Sequence, residues 1–134
     1  MRTTLMAVVA CAGLVLAAVP VRAHHAFAAE FDQNKPIKVQ GSVTKWELTN
    51  PHSWIHIDTK DADGKVVTWM IEGASPNNLY RLGLTKESLP AGSEITVEGY
   101  QAKDGSTRAV GRNITFANGK KFFLGLMEAE GAPK

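Results

Sequence analysis

The side chains in this chain best suited to chemistry are four histidines, all between positions 24 and 56. Two of them, His24 and His25, follow Val21-Arg22-Ala23, which has the small-residue pattern of an export-signal cleavage site. A cut after Ala23 makes His24 the first residue. A free N-terminal histidine then offers its α-amino group and its imidazole to one ion. Such nitrogen donors favour Cu(II), which leads the divalent affinity order, with zinc as the second choice. A cut after Ala28, at Ala26-Phe27-Ala28, discards both histidines. The plainer alternative is that His24 and His25 simply head a loose terminal arm.

His52 and His56 lie four residues apart in a segment with strand periodicity, so they share a face but stand about 13 Å apart along the backbone. Two imidazoles at that spacing need a third segment to share an ion, and the N-terminal arm is the candidate. The competing reading makes His52 a hydrogen-bonding cap of the Asn50-Pro51 turn and His56 a surface strand residue. Trp54 sits between them on the same face, where it either stacks on a ring-shaped ligand or is covered by the arm or the tail. Trp46 is a second candidate for ligand binding, whereas Trp69 falls on a core-facing position. Met70 and Met127 are soft donors that otherwise serve packing. Asp58, Asp61 and Asp63 do not form a calcium loop, because the run is too short for an EF-hand and lacks its closing glutamate.

The elements that position these groups are short and clearly punctuated. Alternating apolar residues predict strands over 37–48, 53–59 and 65–72, the last two joined by an Asp61-Ala62-Asp63-Gly64 hairpin. Ile55 and Ile57 take one face of the second strand; His52, Trp54, His56 and Asp58 take the other. Ser75 as N-cap and Pro76 at the first helical position open a short helix that Gly83 ends. Residues 85–92 read as a loop, followed by strands over 93–101 and 107–116 around Lys103-Asp104-Gly105. Asn118-Gly119 then leads to a short sixth strand within 120–124. Three strands, one helix and two further strands are the order of an OB-fold. The expected fold is therefore all-β: a small Greek-key barrel of five to six strands, with one short helix between strands 3 and 4.

Residues 1–23 read as a cleaved signal peptide, 24–36 as an arm, 37–124 as the barrel and 125–134 as a flexible tail. The apolar part of the signal is short for a membrane span of about 20 residues. Cys11, the only cysteine, lies within that segment; its lipoprotein-like surroundings fail because the apolar run continues beyond it. The remaining domain therefore has no disulfide and depends on its core. Removing residues 1–23 from the 134 takes Arg2 and Arg22 away, leaving thirteen basic against thirteen acidic residues. Nothing in this neutral balance argues for nucleic acid, which calls for a basic face. Ser53 follows His52, but adjacent strand residues face opposite ways, and no glycine-rich phosphate loop opens a helix. The chain is expected not to be an enzyme.

Several stretches taken in order are similar to domain-of-unknown-function family 6152, a family of short exported bacterial proteins. They are Ala23-His24-His25-Ala26-Phe27, Gly41-Ser42-Val43 with Trp46, Thr49-Asn50-Pro51-His52, and Val97-Glu98-Gly99-Tyr100 with Lys103-Asp104-Gly105. The resemblance implies a periplasmic location and a small β-barrel, and no established activity. His56 and Met70 lie outside its motif. The N-terminal histidine also resembles the histidine brace of copper proteins, a chemical analogy across different folds. The first expectation is thus a periplasmic, copper-preferring protein that buffers, delivers or senses the metal through His24, His25, His52 and His56. The alternative is a metal-free module holding a small ligand or a periplasmic partner protein around Trp54, with Arg108 or Lys45 nearby. A small copper oxidase is the third reading.

Overall fold

The computed structural model describes residues 29–125. The expected signal segment with Cys11, His24, His25, Met127 and nearly all of the expected tail lie outside the described residues. Six strands follow in order: β1 (Phe31–Leu48), β2 (Ser53–Lys60), β3 (Val66–Gly73), β4 (Glu94–Ala102), β5 (Arg108–Phe116) and β6 (Lys121–Phe123). A single short helix, α1 (Pro76–Arg81), and a 3-10 turn (Lys86–Ser88) lie between β3 and β4. The strands form one sheet in the order β3-β2-β1-β4-β5-β6, and a parallel pairing of β3 with β5 closes five of them into a ring. This is the all-β OB-like barrel expected from the alternation, with β6 appended to the free half of β5.

The barrel interior is made by the residues that the period-2 pattern turns inward. Ile55, Ile57, Ile71, Val97, Ile114 and Leu124 are each fully buried, and burying such a side chain contributes roughly 1.5–3 kcal/mol. Helix α1 places Leu79 in the same cluster, where Leu84 and Leu89 join it. Ser75 caps the helix by accepting the Asn78 amide on its hydroxyl, with Pro76 at the first helical position. Gly83 follows the helix with φ of +85°, the left-handed conformation that ends it.

β1 departs from expectation. It starts at Phe31, six residues before the expected Ile37, so the second half of the expected arm belongs to the sheet. Phe31 pairs with Ala102, and Pro36 with Tyr100. Phe31 also packs with Ala102, Val110 and Tyr100 in a small second cluster. Asp32 to Lys35 hide this strand from sequence reading because they are polar and largely exposed. β2 pairs only with Ser42 to Leu48, so the other edge of residues 31–41 is open. That edge tolerates Pro36, which cannot donate to a ladder. Where the two halves of β1 meet, Gly41 lets β2 approach: a Cβ there would lie 2.2 Å from the Asp58 carbonyl oxygen.

Candidate functional site

β2 alternates as its sequence predicts, with Ser53, Ile55 and Ile57 buried and Trp54, His56 and Asp58 turned outward. The hairpin register places Glu72 opposite Trp54 and Met70 opposite His56. On the other side of β2, Glu47 of β1 lies opposite Trp54, and Lys45 opposite His56. The parallel pairing sets Arg108 of β5 beside Met70. One outer face therefore gathers His52, Trp54, His56, Glu47, Met70, Glu72 and Arg108.

His52 Nδ1 is paired with Glu72 Oε1, and the two differ sharply in exposure: 42% for the His52 side chain against 8% for that of Glu72. Burial pushes the Glu72 carboxyl up from its ordinary value. The nearby Glu30 carboxylate adds to that rise, while His52 and Arg108 oppose it. With its Nδ1 held from below, the His52 ring keeps Nε2 for a ligand. A carboxylate behind a histidine is the arrangement that fixes tautomer and ring orientation in metal sites. The expected capping role falls to other atoms: the Thr49 hydroxyl donates to the His52 carbonyl at 3.4 Å.

Four residues further along β2, His56 Nε2 meets Glu47 Oε2 at 2.7 Å, and Lys45 Nζ meets the other carboxylate oxygen at 2.6 Å. Hydrogen bonds from Lys45 first, and from His56 second, hold the Glu47 carboxyl below its ordinary value. The two histidines thus take different glutamates and do not converge on one point. Among the described residues, no group of three or more His, Cys, Asp or Glu side chains gathers closely enough to hold a metal ion.

Trp54 is covered by a cation. The Arg108 guanidinium sits 5.6 Å from its ring centroid, a cation–π distance, and reaches Glu30 at 3.5 Å. One face of the Trp54 ring is thereby covered by the guanidinium. Trp46 does not belong to this face at all: it packs against the core, and its indole N–H donates to the Thr85 carbonyl at 3.2 Å. Its strand partner is the inward Ile55. Trp69 packs against the core as expected.

The N-terminal segment enters this region. The Glu30 carbonyl accepts the Lys103 amide at 2.9 Å, the Glu30 carboxylate meets Arg108, and Phe31 is 5% exposed in the second cluster. Sequence reasoning missed Glu72, Glu47 and Glu30. Glu72 was within reach, since counting back from the Asp61–Gly64 hairpin pairs it with Trp54, next to His52. Glu30 was not, because its ion pair joins residues 78 positions apart.

Among the described residues, no helix is long and apolar enough to cross a membrane. A family model described as a family of unknown function (DUF6152) matches residues 10–112. No curated protein and no solved structure matches the chain.

Proposed function

Because the chain belongs to the family of unknown function DUF6152, whose name assigns no activity, we propose its function from its own residues: it is an exported, periplasmic metal-binding protein. The ion, Cu(II) in preference to zinc, sits on the outer face of β2 and β3. His52 supplies Nε2. His24, freed by cleavage after Ala23, supplies its amino group and imidazole, and His25 is a further donor. Imidazole and amine nitrogens match the ligand preference of Cu(II). The protein then buffers, delivers or senses the metal.

The observation that carries this reading is the His52–Glu72 pair, a half-exposed imidazole held at Nδ1 by a buried carboxylate. The anchoring of Glu30 and Phe31 supports it. Six residue steps separate His24 from Glu30, a reach of up to about 20 Å, and Glu30 already touches Arg108 on the same face as His52. His56 stands apart from this set, since its Nε2 is committed to Glu47.

Two measurements test the proposal. Intact mass of the exported protein should begin at His24. Cu(II) titration against a competing chelator should give one site tighter than on the order of 1 µM, weakened by His24→Ala and by His52→Ala. A mature chain beginning at Ala29, or Cu(II) binding indifferent to both substitutions, overturns it.

A further inference from the structure

The same outer face carries a second donor set of different hardness. His52 is gripped through Nδ1, but His56 is gripped through Nε2, at 2.7 Å from Glu47 Oε2. An ionised carboxylate only accepts hydrogen bonds, so in the neutral ring the shared proton lies on Nε2 and the lone pair on Nδ1. The His56 side chain is 18% exposed, and Lys45 holds the other oxygen of Glu47 at 2.6 Å, so the ring is fixed from two sides. Nδ1, the ring nitrogen nearer the backbone, is the donor left, and the cross-strand neighbour of His56 is Met70, directly opposite on β3 and only partly buried. Side chains so paired have Cβ atoms about 4.5–5.5 Å apart, and the flexible methionine brings its thioether to an ion on Nδ1 without moving the backbone. Arg108 lies beside Met70 in register, but its guanidinium is engaged by Glu30 and the Trp54 ring.

We propose that His56 Nδ1 and Met70 Sδ form a soft site for a monovalent ion of the Cu(I) type, separate from the Cu(II) site assigned to His52. A thioether selects Cu(I) over divalent ions, whereas amine and imidazole suit Cu(II). The identity of the cargo rests on the copper reading above; the donor pair does not. With both sites, one barrel face holds copper in either oxidation state.

The test uses the exported chain with its methionine methyl groups labelled. Beyond residue 23 the methionines are Met70 and Met127, so two methyl signals report. Under anaerobic conditions, one equivalent of Cu(I), or of Ag(I) as its redox-inert probe, should shift the Met70 methyl. Met70→Leu, a volume-conserving change, should weaken Cu(I) binding by on the order of tenfold or more and leave Cu(II) binding unchanged. A Met70 methyl that stays fixed while Cu(I) binds elsewhere, or a Met70→Leu protein with unchanged Cu(I) affinity, overturns the inference. The two readings fail separately: Cu(II) binding indifferent to His24→Ala and His52→Ala sinks the first, and an unmoved Met70 methyl sinks the second.

Discussion

Glu72 is the residue whose replacement most directly tests the candidate site. Its side chain is 8% exposed and its partner is His52 Nδ1. Glu72→Ala removes the group that fixes the tautomer and orientation of His52. Losing such a carboxylate behind a ligand histidine typically lowers metal affinity 10–100-fold, or about 1.4–2.7 kcal/mol at ~1.4 kcal/mol per decade. Glu72→Gln keeps an acceptor for Nδ1 and loses only the charge, so it should fall between the wild type and Glu72→Ala. The stability of the metal-free protein should move differently. Burial raises the folded-state carboxyl above its ordinary value, so protonating Glu72 favours the fold. That contribution is complete below the unfolded-state value and is lost as pH rises through the folded-state value. Wild type should therefore gain stability relative to Glu72→Gln as pH falls from neutrality toward about 4. Urea unfolding across that range, together with Cu(II)–chelator competition at neutral pH, reads both effects. If both variants bind Cu(II) like wild type, or if wild type loses stability relative to Glu72→Gln on acidification, the account of the His52–Glu72 pair is wrong.

Five further outcomes follow from the packing and the charge pairs. Leu79→Ala should cost about 2–5 kcal/mol in chemical denaturation, because Leu79 is fully buried in the main core. Gly99→Ala should fail to fold, since its Cβ would sit 1.9 Å from the Val110 carbonyl oxygen. Gly64→Ala meets no atom and should show only the modest strain of φ +77° in its turn. Phe31→Ala should release residues 31–36, seen as lost amide protection there while β2 and β3 stay protected, because Phe31 belongs to the small second cluster and not to the main core. Lys45→Ala should raise the carboxyl midpoint of Glu47 in a carbon-detected titration, because Lys45 is the first cause of its lowering.

Much of the fold was legible because its cues are local. The alternation of Ile55 and Ile57 with Trp54 and His56, the Asp61–Gly64 hairpin and the Ser75-Pro76 helix start each depend on neighbouring residues alone. So does the resemblance carried by the histidine pair and the Asn50-Pro51-His52 step, and the family match agrees with it. The start of β1 was missed for the opposite reason. Asp32 to Lys35 look like an arm, and they are strand only because Phe31 beyond them finds Ala102 and Val110.

By itself, the sequence determined an all-β chain, the two faces of β2 and the crowding of histidines toward its N-terminal half, since side-chain direction in a strand follows from position. Tertiary structure alone decided the partners brought in from β5 and from the segment before β1. The hairpin register already sets Glu72 opposite Trp54 and Met70 across from His56, but closing the ring through β3 and β5 brings Arg108 over Trp54 and against Glu30. The Arg108 contacts join segments far apart in the chain. They exist only once the ring has closed, which no local pattern encodes.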